Sequence, residues 1–352
     1  MSDGPPNEGG SGGATGEGSA VAVLDEAMRE QFTWYVVAKK EFQDTVRSKA
    51  LWVLSLVFVV LFVVPLLGVY FDVLGLGQVT QELGTTVLIR SVYLNLVTFL
   101  LPLIAMFVGY AALTRERETG SLKVLLSLPF SRRDVLVGKV VGRGAVVALP
   151  LLAALGLTAL FLVSLGVPFG SGLYGLFVLF TVGFALVMVS IAVSISAAVP
   201  SGRLSLVANF FVYFYFTFVW NSVANGLGNL LQNQLGMGGA LRWQLTLFVK
   251  LLSPTQSYKT LLNSILGSGA NAQRSARIGM FSRNSDTATI CNDVLRGNAT
   301  VRRTLFGNQT VCQSAGDAVP FYFSDPAVFV YLLLWIGLAA AISYYTFDRV
   351  DL

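Results

Sequence analysis

The sequence predicts an all-α, polytopic membrane protein with six transmembrane helices, and three observations carry that reading. Hydrophobic residues make up 54% of the chain and charged residues 12%, about half the charged share of an ordinary soluble domain. Six apolar runs each approach the roughly 20 residues needed to cross a bilayer. They are Leu51–Phe71, Val92–Leu113, Gly144–Leu165, Leu173–Val199, Leu204–Ala224 and Ala327–Phe347. Lysine and arginine also alternate between connections, as the positive-inside rule requires. With a cytoplasmic amino terminus, the inside segments hold Arg29, Lys39, Lys40, Arg47, Lys49, the basic residues of Thr114–Arg143, Arg203 and Arg349. The short outside loops hold Arg90 alone. The other basic residues fall between spans five and six, in a loop too long for the rule to govern. Both termini are therefore expected on the cytoplasmic side of the cell membrane.

In chain order, residues 1–24 are rich in Gly, Ser and Pro and read as a disordered cytoplasmic tail. Across 25–50, Trp34, Ala38, Phe42, Val46 and Ala50 recur every four residues, with Lys39, Lys40, Arg47 and Lys49 on the other sides. That pattern predicts an amphipathic helix in the headgroup region; a plain basic flank of span one is the alternative. Residues 51–352 form the six-span domain, which includes a cytoplasmic segment at 114–143 and an outside segment at 225–326.

The segment Thr114–Arg143 reads as two short helices. Glu116 and Glu118 stand where carboxylates favour a helix N-terminus, and Leu122, Leu125 and Leu126 share one face at i, i+3 and i+4. Pro129 ends the first helix. Ser131 followed by Asp134 is a capping-box start for the next, which runs into span three.

The outside segment opens with two half-length apolar pieces, Trp243–Leu252 and Tyr258–Leu266, suited to a re-entrant or interfacial helix pair. A small polar module at Asn271–Pro320 follows. It carries both cysteines, Cys291 and Cys312, with sequons at Asn298 and Asn308 between them. A disulfide suits an oxidising exterior, and a pair of free thiols is the alternative. Used or unused, the sequons could be modified only outside.

Several chemistries are excluded. With no histidine and two cysteines, imidazole bases, His-ligated metals and cysteine-cluster sites are absent, so no catalytic and no metal residue is assigned. The spans as drawn contain no Asp, Glu, Lys or Arg. That disfavours a proton-driven carrier and an intramembrane protease. Asn95, Asn209, Tyr213 and Asn221 are the candidates for lining a cargo path, and interhelical hydrogen bonds are the competing use. No G-x-x-x-x-G-K-[ST] phosphate loop occurs, so the chain itself binds no ATP. No nucleic-acid partner is expected; membrane lipid is.

Glu116, Glu118, Gly120, Ser121 and Leu122, then Leu125, Leu126 and Pro129, then Ser131, Arg132 and Lys139 resemble the signature of the permease subunits of ABC-2 type ABC transporters. Ala38–Phe42 with Arg47–Lys49 resembles that family's connecting helix, and Leu252-Ser253-Pro254 with Tyr258 resembles, more loosely, the stretch after span five. The resemblance implies one half of a pump that pairs with a second permease copy, identical or paralogous. Separate ABC ATPase subunits would bind ATP–Mg. It also implies a coupling helix, Glu116–Leu128, seated in the ATPase. The contact residues would be Arg115, Glu116, Arg117, Glu118, Gly120, Leu122, Leu125, Leu126, Pro129 and Arg132. Export is the expected direction. A non-transporting scaffold whose outer loop binds a partner protein is the alternative.

Overall fold

The computed structural model describes residues 23, 25–29, 31–47, 49–71, 85–121, 131–236, 239–267, 269–281, 287–304, 307–314 and 319–348. It is a helical bundle, and among the described residues six helices are long and apolar enough to cross a membrane. Helix α1 (Thr33–Val46) precedes them. The six are α2 (Lys49–Tyr70), α3 (Thr85–Thr119), α4 (Arg132–Ser164), α5 (Ser171–Ala198), α6 (Gly202–Gln234) and, later, α10 (Asp325–Asp348). Each overlaps an expected span. Most run past its ends, because a helix need not stop where the hydrocarbon does.

Helix α5 is the central post. It packs on α10, α4 and the middle of α3, and its face from Tyr174 through Phe177, Phe184 and Met188 to Ala197 is buried. Span six of the bundle is preceded by α7 (Gly239–Leu252), α8 (Pro254–Ile265) and α9 (Gly269–Ile278). Helix α7 and helix α8 are the expected half-length pair, and α8 goes deep. Tyr258 is buried, its ring stacked 4.4 Å from Phe184 of α5, and its hydroxyl lies 2.7 Å from Thr181 Oγ1. Pro254 at the first turn of α8 gives up an N–H that the helix cannot use.

The cysteine-containing module differs from the small polar unit expected. It has an apolar core built with α7, α8 and the start of α10: Trp243, Leu247, Leu251 and Leu261 meet Phe281, Ile290, Val294, Phe323 and Val328. Cys291 and Cys312 lie in that core and form a disulfide. Arg277 is fully buried and ties α9 to α10 through Asp325 at 2.6 Å. The module also contains an antiparallel hairpin absent from the all-α expectation, β1 (Asn298–Thr304) with β2 (Gly307–Gln313), in register Asn298↔Gln313 and Ala299↔Cys312.

Two further departures concern helices. The buried residues of α1 are Val37 and Ala38, so its face turns from the expected Trp34–Ala38–Phe42–Val46–Ala50 stripe toward α4, and Val46 is exposed. The side chain of Ala50 lies outside the described residues. The helix expected at Glu116–Leu128 is interrupted: the turn Thr114–Thr119 closes at Gly120, which takes φ 74°. That left-handed conformation suits glycine and terminates helices. Leu122, Leu125, Leu126 and Pro129 lie outside the described residues.

Candidate functional site

Two groups of side chains stand out. The first lies at the end of the bundle where α3 gives way to Thr114–Ser121 and α4 begins. Helix ends leave orphan backbone groups that neighbours must satisfy, and here the ends cap one another. Ser196 Oγ near the close of α5 accepts from the Leu113 and Thr114 N–H groups at 3.0 and 3.3 Å. Arg117 donates to the carbonyls of Ala197 and Val199 at 2.7 and 2.8 Å. Glu118 Oε1 accepts from the Gly202 N–H at 2.8 Å, in the first turn of α6. Ser205 Oγ donates to the Tyr110 carbonyl at 2.6 Å. Thr114–Thr119 is thereby fixed across the turn from α5 to α6.

Its other flank is ionic. Lys139 on α4 is fully buried, with Nζ 2.6 Å from Glu41 Oε1 on α1 and 2.7 Å from Glu116 Oε1. Arg143 Nε lies 2.9 Å from Glu41 Oε2. Two carboxylates face two cations, so the group is neutral as a whole, which makes its burial tolerable. Burial pushes the Glu41 carboxyl up, but Lys139 and Arg143 more than offset this and hold it below the ordinary carboxylate range.

Helix packing explains how these groups meet. The most extensive contact between elements is that of α1 with α4, and it depends on glycine. A Cβ at Gly138 would stand 2.6 Å from Val37 Cβ and 2.8 Å from the Trp34 carbonyl. One at Gly142 would stand 2.7 Å from Glu41 Cβ and 2.9 Å from the Ala38 carbonyl. Small residues four apart let two backbones approach closely. Lys139 and Arg143 follow them on the same surface. The expected capping box is present at the start of α4: Ser131 Oγ accepts from the Asp134 N–H at 3.1 Å, and Asp134 Oδ2 accepts from the Ser131 N–H at 3.1 Å.

The residues expected to touch an ATPase therefore fall into three sets. Glu116 and Arg117 are half-buried and bonded within the chain, Glu116 to Lys139 of α4 and Arg117 to the Ala197 and Val199 carbonyls at the end of α5. Arg115, Glu118 and Gly120 are exposed, Glu118 while bonded to Gly202, and Arg132 is half-buried at the start of α4. The leucines and Pro129 are outside the described residues.

The second group runs along α6. Asn209, Tyr213, Thr217 and Asn221 recur every fourth residue; Asn209 Oδ1 and Asn221 Oδ1 are buried without a hydrogen-bond partner, and the Tyr213 and Thr217 hydroxyls face each other one turn apart. The helix widens into a π-type turn at Tyr215–Val219. There the Phe216 carbonyl accepts instead from Thr255 of α8 at 3.2 Å. Phe99 of α3 packs edge-on to Tyr213 and Phe218. Asn95, one turn before Phe99, is exposed and tied elsewhere: its Oδ1 accepts from Lys259 of α8 at 2.9 Å. The structure thus brings Asn209, Tyr213 and Asn221 onto one face and leaves Asn95 apart. Thr217 completes the row and was legible as the missing member of the four-residue spacing. Glu41 and Arg143 were not singled out, although a carboxylate amid the apolar residues of an amphipathic helix was the available signal.

In the cysteine-containing module, Asn298 is exposed at the start of β1 and Asn308 is the second residue of β2.

The chain matches the family model described as "ABC-2 family transporter protein" over residues 35–352. It is similar to a probable ABC transporter permease protein NosY of Stutzerimonas stutzeri, 31% identical over 244 residues, covering 66% of this chain and 83% of that protein. A protein of the same name from Pseudomonas aeruginosa is 29% identical over 234 residues, covering 64% and 80%.

Proposed function

This chain belongs to the ABC-2 family of transporter proteins, and from that premise we propose that it exports cargo using ATP hydrolysed by a separate ATPase subunit. In the membrane it works as one of two permease copies. The observation that carries this reading is the bracing of Thr114–Thr119. A segment that leaves one span, is bonded to α4, α5 and α6, and still offers Arg115, Glu118 and Gly120 outward is built to receive a push and pass it to several helices at once. The permease names of the two relatives support it.

The polar row on α6 is the cargo path, facing the second copy. Buried amide oxygens without partners, at Asn209 and Asn221, are costly in hydrocarbon. Span five is also the least covered of the six helices, with 17% of its apolar window buried, so a neighbour or a cargo completes it. The cytoplasmic side is that of Thr114–Arg132, where basic residues cluster and ATP is available. The disulfide and the sequon residues Asn298 and Asn308 then lie outside.

Charge reversal at the exposed Arg115, Arg115→Glu, tests the partner face. Weaker co-purification of the ATPase with an intact bundle is expected; undiminished association contradicts the assignment. A second reading, a scaffold for an outer partner, draws on the exposed Phe321 and Val301 at the outer module. A P-loop ATPase gene next to this one supports the pump, and its absence supports the scaffold.

A further inference from the structure

Lys139 is the only described side chain that joins three elements by charge: Glu41 belongs to α1, Glu116 to the last turn of α3, and Lys139 itself to α4. Arg143 supplies the second cation that keeps the group neutral, but it meets Glu41 alone, whereas Lys139 meets both carboxylates and so links the elements that carry them. A lysine suits the task, because its ammonium offers three donors to acceptors arriving from different directions.

The two contacts are unequal. Glu41 is held a second time by Arg143, and the helix that carries it is seated on Gly138 and Gly142. Glu116 has no second ion pair among the described residues, and its Oε2 is buried without a hydrogen-bond partner. One side of Lys139 is therefore anchored several times over, and the other by one bond.

We propose that Lys139 is a positioning residue for transport, the joint through which displacement of Thr114–Ser121 reaches α4 and α1 together. This rests on the pump reading above. Helices α1 and α4 move as one body, held by the glycine contact and by Glu41. Glu116 is the tie through which the ATPase-facing segment pulls that body. Because the same segment is bonded to Ala197, Val199 and Gly202 on its other flank, the push divides between span three and the junction of spans four and five.

The chain suits a direct test, since both cysteines are in the disulfide and none is free. Spin labels at the exposed positions Lys40→Cys on α1 and Thr119→Cys report the tie in the full-length permease alone. A single narrow distance is expected in the native background. Its loss is expected in Glu116→Gln, which keeps the side chain's shape, and in Lys139→Met, and the double variant should be no worse than either single one. In the complex with its ATPase, these variants should keep ATP hydrolysis and lose the nucleotide-dependent displacement of a label at Arg133→Cys on α4. An unchanged Lys40–Thr119 distance in Glu116→Gln and Lys139→Met overturns the proposal. So does a displacement of α4 that persists undiminished when the tie is lost, since Lys139 is then structural only. Failure of the native permease to bind the ATPase removes the pump reading, and with it the transmitting role. The distances in the permease alone still decide whether the tie exists.

Discussion

Gly138 and Gly142 make the site possible, because Lys139 can meet Glu41 only if α1 comes close enough for its backbone to touch α4. Gly138→Ala places a methyl 2.6 Å from Val37 Cβ and should cost about 1–3 kcal/mol, the usual penalty of overpacking. Thermal unfolding in detergent, together with earlier protease cleavage of α1, measures it. Glu41 makes a pH prediction. Its carboxyl sits below its ordinary value of 4.5 in the folded chain, so the unfolded chain binds the proton more readily and stability falls with acid. The contribution is complete above 4.5 and is lost as pH falls through the lower folded value. In Lys139→Met the opposing cation is gone, burial weighs more, and release of α1 from α4 should occur at higher pH. Labels at Lys40→Cys and Arg133→Cys, followed during acid titration, read that order directly.

The elements divide by the kind of constraint that fixes them. The spans were legible because a bilayer imposes a length on any helix that crosses it, and α7 and α8 were legible as apolar runs too short to cross. How far α8 enters was not, since Tyr258 finds Phe184 and Thr181 through tertiary packing. The hairpin was hidden because β1, NATVRRT, reads as polar loop; it is held by its pairing to β2 and by the disulfide behind it. The ion group was hidden for a different reason: Glu41 and Lys139 stand 98 residues apart, and charge pairing across that separation leaves no periodic trace. Two measurements belong at this scale. Asn221→Leu on α6 removes an amide oxygen that has no partner in one copy, so folding stability should hold or rise by up to about 1 kcal/mol. Cargo-stimulated ATP hydrolysis or permease pairing should fall. Cys291→Ser with Cys312→Ser should destabilise the outer module by about 2–4 kcal/mol, seen as earlier proteolysis there with the spans intact.

The whole molecule is a bundle around α5 with charge kept to its ends. Neutralised or capped charges gather at the end bearing Thr114–Ser121 and the start of α4, and the other end carries a disulfide-braced module with an apolar core of its own. In the proposed pump, that arrangement would separate the place where force enters from the place where cargo leaves, with the α6 row between them. The chain's membership of the ABC-2 family covers residues 35–352, which include the whole bundle. The most direct measurement is co-purification of the full-length permease with the P-loop ATPase co-expressed beside it. The native chain should retain the ATPase in fixed proportion, and Leu125→Asp should lose it while the six-span bundle still purifies as a folded species. An ATPase that never binds the native chain, or one that Leu125→Asp and Arg115→Glu leave bound undiminished, would contradict the account.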